Sequence, residues 1–188
     1  MRVISGKYRG RKLKSPPSLK TRPTSDRLRE TLFNILTPRI EGARFLDLCA
    51  GSGAVGIEGL SRGAAHVTFV DRSRKMYALI ETNLNLLNVG DGETEVVSRE
   101  ALDFLSRKVK NEAEPFDVIF FDPPYAMDYE EVLDYVGENA AELLGQDGVV
   151  IVEHHKKKDL PKGFTELQCY RVLRQSDSCL TFYKRGAA

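Results

Sequence analysis

The segment FFDPPYAM at residues 120–127 places an acid, two prolines and a tyrosine directly after the most apolar run of the chain. Prolines fix φ and supply no backbone N–H, so Pro123 and Pro124 can hold the Asp122 carboxylate and a backbone carbonyl as preset hydrogen-bond acceptors. Two such acceptors can bind the N–H groups of an exocyclic amine on a nucleobase and aim its lone pair at a methyl group. We therefore predict a catalytic turn at Asp122–Tyr125, in which Asp122 also receives a proton and Tyr125 stacks on the base. The alternative is a rigid turn that only caps a helix.

A second motif, GSGAVG at residues 51–56, matches the G-x-G-x-x-G pattern between an expected strand and an expected helix. Such glycines let the backbone approach a ligand, and an acid about 20 residues further on, here Asp71, binds a ribose hydroxyl. Asp47 lies just before the glycines, where a carboxylate would repel a pyrophosphate but would suit a cation. The pattern therefore favours S-adenosylmethionine over a nicotinamide dinucleotide, although a tight turn without a ligand would also give it.

The elements that position these motifs alternate from residue 44 onward. Short apolar segments, RFLDLC, HVTFVD, TEVVS, FDVIFFD and GVVIVEHH, are separated by amphipathic ones, and FTELQCYRVL and SCLTFYKR follow at the end. This alternation predicts a mostly parallel sheet covered by helices on both faces, with the last two strands pairing antiparallel at one edge. Ligands bind at the carboxyl ends of such strands, where Asp47, Gly51, Asp71, Glu100 and Asp122 all fall.

The first 29 residues form a basic arm with ten basic residues and one acid, although the whole chain carries a net charge of only +1. RVISGKYRGRKLK predicts a hairpin around Gly6 and Gly10, and TSDRLRETLFNIL predicts a helix that Thr24 or Ser25 caps and Pro38 ends. An arm of this charge suits a polyanion, most often a nucleic acid; a solubilising tail is the alternative. The predicted RNA contacts are Lys7, Tyr8, Arg9, Arg11, Lys12, Arg22, Arg27 and Arg29.

The remaining features exclude several classes of protein. A length of 188 residues suits one domain with an appendage, which we divide into a basic extension at 1–40 and a catalytic domain at 41–188. The sequence contains no run of 18 apolar residues, so no membrane span is predicted, and no signal peptide is evident at the start. Three cysteines without a CxxC pattern favour a reduced, cytoplasmic protein. Adjacent histidines at 154 and 155 point to opposite faces of a strand, so no metal site is expected. HHKKK is interpreted as a solvated strand end, and an RNA contact is the alternative.

Four segments together resemble a known family in their order and spacing. They are RVISGKYRGRKL, RPTSDRLRETLFNIL, FLDLCAGSGAVGIEGLSRGA and FDVIFFDPPY, and they span most of residues 1–153. The chain thereby resembles the bacterial RsmD family of class I S-adenosylmethionine-dependent methyltransferases, which modify guanine N2 in small-subunit (16S) ribosomal RNA. The resemblance implies a Rossmann-like, seven-stranded sheet and a partner that is ribosomal RNA or an assembling small subunit. It also implies that Asp47, Gly51, Gly53 and Asp71 bind the cofactor. Four neighbouring residues are predicted to bind the cofactor with them: Ser52, Arg72, Glu100 and Ala101.

Three other functions remain open from the residues alone. An adenine-N6 methyltransferase acting on DNA or RNA would need the same two acceptors for its target amine. A nicotinamide-dependent reductase would use the same glycine pattern, but it has no evident use for the turn at residues 122–125. A ribosome assembly factor without catalysis would not need Asp47, both glycines, Asp71 and the DPPY segment together.

Overall fold

The structure is a computed structural model that describes residues 1–16, 25–90, 92–124 and 127–186. Two of the predicted functional residues, Arg22 and Tyr125, lie outside these ranges. Within them, no helix is long and apolar enough to cross a membrane.

The chain begins with a hairpin, as predicted, although only the pair Arg2 and Lys12 forms a β-bridge. Helix α1 follows at Asp26–Ile40, and the Ser25 side chain caps it by accepting a hydrogen bond from the Leu28 amide. The prediction that Pro38 ends this helix is wrong, because the helix continues through it to Ile40. Pro38 deprives the carbonyl of Asn34 of a donor, but both residues are exposed and water can satisfy that carbonyl.

An eight-stranded sheet forms the centre of the molecule, in the order β3-β2-β1-β4-β5-β8-β7-β6. The strands are β1 (Arg44–Leu48), β2 (His66–Val70), β3 (Thr94–Val97), β4 (Phe116–Phe121), β5 (Leu144–His155), β6 (Gly163–Phe164), β7 (Leu167–Gln175) and β8 (Ser178–Arg185). Strands β1 to β5 pair in parallel, and β8, β7 and β6 add antiparallel neighbours at one edge. The predicted architecture is confirmed, with the two-residue strand β6 added because the chain reverses at Thr165, where φ is 37°.

Helices cover both faces of the sheet. They are α2 (Ala54–Ser61), α3 (Arg74–Leu87), α4 (Ala101–Lys110), α5 (Tyr129–Glu138) and α6 (Ala140–Leu143). One apolar core joins the sheet to the hairpin, α1, α2 and α3, and the other joins it to α4, α5 and α6. Helices α3 and α5 begin at side-chain caps, since Ser73 accepts from the Met76 amide and Asp128 accepts from the Glu130 and Glu131 amides.

The hairpin is part of the first core rather than a separate layer. Its residues Val3, Tyr8 and Leu13 are buried among α1, α2 and α3. Its backbone also bonds to a side chain of α2, because the Ile4 and Ser5 amides donate to the carboxylate of Glu58 at 2.8 and 3.0 Å. The boundary proposed at residue 40 therefore does not coincide with a break in the core.

Candidate active site

An open cavity of about 1250 Å³ lies at the carboxyl ends of the parallel strands. Its lining includes Asp47, Gly51, Asp71, Glu100, Asp122 and Pro123. The structure thus brings residues predicted to bind a cofactor together with residues predicted to bind a target amine. Parallel strands produce this meeting, because their carboxyl ends open on the same edge of the sheet.

The glycine turn after β1 is held in place by Asp71 at the end of β2. The two oxygens of its carboxylate accept hydrogen bonds from the Gly51 amide at 2.9 Å and the Ser73 amide at 2.8 Å. Gly51 and Gly53 have φ of 55° and 77°, which side-chain-bearing residues rarely adopt. A Cβ on Gly51 would meet nothing within 4 Å, so a ligand can approach this backbone closely. Burial raises the pKa of Asp71 above its ordinary value, and both amides oppose that rise.

Asp47 points from β1 toward the first turn of α2. Its Oδ2 atom accepts a hydrogen bond from the Gly56 amide at 2.8 Å, and the side chain is almost completely buried. Burial raises the pKa of Asp47 to about 7, despite the hydrogen bond, and the charge of Asp71 adds to the rise. A buried carboxylate without a cation beside it is unfavourable, so this position suits a positively charged ligand group.

The rim of the cavity on the α4 side carries Arg72, Glu100 and Ala101. The Arg72 Nη1 atom lies 3.5 Å from the Glu100 Oε1 atom, and both side chains are exposed. Glu100 precedes α4 without using its side chain to cap the helix, whereas Ala101 is buried. Glu100 is therefore placed to accept a hydrogen bond from a ligand that reaches this rim.

Asp122 follows β4, the strand that pairs with β1, and it also lines the cavity. Its amide donates to the Leu48 carbonyl at 3.3 Å, so the parallel pairing with β1 continues to the start of the turn. Phe121 pairs with Val152 of β5, which places Glu153 on the strand beside Asp122. Burial raises the pKa of Asp122 well above its ordinary value, and the charges of Glu153 and then Asp47 add to the rise. Asp122 is thus adapted to hold a proton or to face a cation.

The carbonyl groups of the two prolines have different partners. Pro123 is buried, and its carbonyl accepts a hydrogen bond from the Tyr129 hydroxyl at 3.2 Å. The Pro124 carbonyl accepts from the Met127 amide at 2.8 Å, which closes the turn. A carbonyl oxygen has two lone pairs, so the Pro123 oxygen can accept a further hydrogen bond from a ligand.

Three residues of this region were not predicted from the sequence. Asn83, fully buried in α3, donates to the Ser52 carbonyl at 3.1 Å and to the Lys14 carbonyl at 3.2 Å, so it joins the glycine turn to the basic arm. Glu153 lines the cavity at the end of an apolar strand, and Tyr129 holds the Pro123 carbonyl. The sequence held a signal for two of them. Asn83 is a polar residue inside the apolar stripe of α3, and Glu153 is an acid at the end of the apolar segment GVVIVE.

The basic arm divides into surface and buried residues. Lys7, Arg9, Arg11, Lys12 and Arg27 are exposed, and Arg27 also lines the cavity. Two of these side chains contact other parts of the protein: Lys7 Nζ lies 3.8 Å from Glu93 Oε1, and Arg11 Nη2 donates to the Leu86 carbonyl at 2.6 Å.

The prediction that Tyr8 and Arg29 contact RNA is wrong. Tyr8 is 6% exposed and packs in the core. Arg29 is 0% exposed, bonds to Asp26 Oδ1 at 2.9 Å and lies 3.8 Å from Glu58 Oε2. Neither side chain reaches the surface, because the hairpin and α1 bury them against α2.

Other reactive side chains have structural surroundings. The His154 Nε2 atom lies 2.8 Å from the Thr181 Oγ1 atom, and burial lowers the His154 pKa. Cys49 lines the cavity, but burial raises the pKa of its thiol, which keeps it protonated. Across the described ranges, no group of three or more His, Cys, Asp or Glu side chains is arranged to hold a metal ion.

Comparison with known proteins gives consistent matches over nearly the whole chain. The family model described as Conserved hypothetical protein 95 matches residues 1–184. The Escherichia coli K12 protein named Ribosomal RNA small subunit methyltransferase D is 40% identical over 188 residues, which cover 100% of this chain and 91% of that protein. The Haemophilus influenzae protein of the same name is 39% identical over 171 residues, covering 89% of this chain and 86% of the relative.

A solved structure agrees with the same assignment. The putative methyltransferase yhhF from Escherichia coli superposes with a TM-score of 0.86 at 34% identity, covering 100% of this chain and 99% of that one. The fold, the cavity with its two groups of carboxylates, and the full-length matches lead to one assignment. The chain belongs to the Conserved hypothetical protein 95 family, the RsmD family of methyltransferases.

Proposed function

We propose that this protein transfers a methyl group from S-adenosylmethionine to the exocyclic N2 of a guanine in small-subunit ribosomal RNA. The observation that carries the proposal is the shared cavity, whose lining includes Asp122 and Pro123 as well as Asp47, the glycine turn and Asp71. The relatives named Ribosomal RNA small subunit methyltransferase D support both the reaction and the class of RNA.

The residues of the first half of the cavity fit this cofactor. The proposed contacts are Asp47 to the ammonium of its amino-acid end, the turn at Gly51–Gly53 along the backbone, Asp71 to the ribose hydroxyls, and Glu100 to the adenine amine. Ser52, Arg72 and Ala101 complete the proposed lining. S-adenosylmethionine supplies an electrophilic methyl group, and its positive charges suit a cavity whose carboxylates have raised pKa values.

The second half of the cavity can prepare the nucleophile. The lone pair of a nucleobase amine is delocalised into the ring, so the amine reacts only when its geometry is fixed. Acceptors at Asp122 and the Pro123 carbonyl would take its two N–H groups and leave the lone pair directed into the cavity. When nitrogen gains a fourth bond it becomes acidic, and Asp122 is positioned to receive the released proton. Pro124 stiffens the turn, and Tyr125 is proposed to stack on the base.

The preference for guanine rests on the basic arm and on the relatives rather than on the catalytic turn. Adenine N6 is also an exocyclic amine and would need the same two acceptors. The exposed cations Lys7, Arg9, Arg11 and Lys12 suit the phosphates of a folded RNA, as does Arg27 at the cavity; Arg22 is proposed with them. Sequence-specific RNA recognition usually targets unpaired bases in such folds.

The test is methyl transfer to small ribosomal subunits from cells that lack this activity, followed by digestion and nucleoside mass spectrometry. N2-methylguanosine in the small-subunit RNA is expected. N6-methyladenosine, or activity confined to duplex DNA, would replace the proposal with the adenine reading. Asp122→Ala should lower the single-turnover rate on the order of 10²–10³-fold, by analogy with the loss of one preorganised catalytic hydrogen bond, and should leave cofactor affinity within about twofold.

A further inference from the structure

A smaller pocket of about 410 Å³ adjoins the active-site cavity beyond the end of β5. It is lined by Tyr129, His155, Lys157 and Lys158. Tyr129 and His155 also line the large cavity, so the two spaces are neighbours. Two of the four lining residues of the smaller pocket are lysines, whereas the lining of the large cavity includes Asp122 and Glu153.

Two backbone amides of the turn after β5 bond to His155. The Lys157 amide donates to His155 Nδ1 at 3.1 Å, and the Lys158 amide donates to the His155 carbonyl at 2.9 Å. His155 therefore holds the turn that carries Lys157 and Lys158. Lys156 differs from its neighbours, since its Nζ lies 2.9 Å from Asp177 Oδ1 and its charge is already paired.

Lys158 links this pocket to the catalytic turn. Its Nζ lies 4.0 Å from the centroid of the Tyr129 ring, a distance typical of a cation–π contact. The hydroxyl of the same Tyr129 holds the Pro123 carbonyl. An anion bound at Lys158 would therefore lie one side chain away from the acceptor that is proposed to bind the target amine.

We propose that Lys157 and Lys158, on the turn that His155 holds, form a phosphate-binding subsite, which holds the RNA backbone next to the base that enters the catalytic turn. The proposal rests on the function proposed above and adds the place where the target strand is anchored. A base withdrawn from its stack needs its backbone held on the enzyme, and ammonium donors suit a phosphate. The arm at residues 7–12 can bind RNA elsewhere, but it does not line this pocket.

The test compares two double variants that remove the same charge. Lys157→Gln with Lys158→Gln alters the subsite, and Lys162→Gln with Lys184→Gln is the matched control. Lys162 and Lys184 are exposed, and Lys184 pairs with Val149, six positions before His155 on β5. RNA affinity is measured on small-subunit ribosomal RNA over a range of KCl concentrations, and cofactor affinity is measured by calorimetry.

The subsite variant should bind RNA at least about 10-fold more weakly at low salt than the control. The slope of its log affinity against log salt concentration should be smaller in magnitude by about one to two, because each lost phosphate contact reduces that slope by about one. The single variant Lys157→Gln, which keeps the contact of Lys158 with the Tyr129 ring, should lower the slope by about one. This second variant shows whether RNA affinity falls because a phosphate contact is lost or because the catalytic turn is disturbed.

Two results would overturn the subsite. One is an affinity and slope equal to those of the control; the other is a loss of cofactor affinity, which would assign the pocket to the cofactor instead. The binding comparison decides the subsite, whereas methyl transfer by the unaltered protein decides the proposed function, so either can fail alone.

Discussion

Replacing Tyr129 with Phe would test whether the Pro123 carbonyl takes part in catalysis. The substitution keeps the ring, which is 1% exposed and lies beneath Lys158, and removes the hydroxyl that donates to Pro123 at 3.2 Å. A neutral hydrogen bond of this kind contributes about 0.5–1.5 kcal/mol. If that energy holds the carbonyl in the geometry that the target amine requires, its loss slows methyl transfer about 2- to 12-fold.

The assay is single-turnover methyl transfer with saturating RNA and cofactor, together with calorimetry of cofactor binding. Tyr183→Phe is a matched control, because the Tyr183 hydroxyl donates to another proline carbonyl, that of Pro161, at 2.8 Å and outside the cavity. Both variants should lose similar stability, but only Tyr129→Phe should lose rate. Equal rates in the two variants would refute the assigned role of the Pro123 carbonyl, and reduced cofactor affinity would show that Tyr129 acts elsewhere.

Three further predictions concern the cofactor half of the cavity and the core beneath it. Asp71→Ala should weaken S-adenosylmethionine binding roughly 10- to 150-fold in calorimetry, since it removes charged acceptors worth about 1.5–3 kcal/mol; unchanged affinity would exclude Asp71 from the site. Cofactor affinity should rise as the pH rises through about 7, because Asp47 then loses its proton and can face the ammonium. Below about pH 7 the affinity should fall by up to about tenfold for each pH unit. A flat profile between about pH 6 and 8 would contradict the assignment. Glu58→Gln should lower the free energy of unfolding by about 3–5 kcal/mol, because it removes the buried carboxylate beside the buried Arg29; urea unfolding with a change under about 1 kcal/mol would contradict this.

The sheet and its functional edge could be predicted because both follow from local patterns. Apolar runs such as FDVIFF are buried on both faces, as the strands of a parallel sheet require. Since ligands bind at the carboxyl ends of such strands, the positions of Asp47, Asp71 and Asp122 in the sequence were enough to predict that they share a cavity. The helix caps at Ser73 and Asp128 could be predicted equally well, since each depends on a hydrogen bond to a residue only two or three positions away.

The arm was harder to interpret because its residues look alike in sequence. Arg27 and Arg29 are two positions apart on α1, yet one is exposed and the other fully buried. The difference comes from Glu58, whose side chain lies 29 positions later and meets Arg29 only after α2 packs on α1. Tyr129 and Asn83 were missed for the same reason, because their partners belong to segments that no spacing rule connects to them.

The contacts of Glu58 and Asn83 with the hairpin also bear on how the chain is made. The hairpin is synthesised first, but its amides at Ile4, Ser5 and Lys14 bond to side chains 53 to 69 positions later. At synthesis rates of about 5–20 residues per second, a delay of roughly 3–14 s separates Lys14 from Asn83. During that interval the nascent hairpin lacks the partners that fix it. A chain truncated before α2 would retain the basic charge of the arm but would lack both Glu58 and Asn83, whose contacts fix its shape. RNA binding by the arm must therefore be measured on the intact protein.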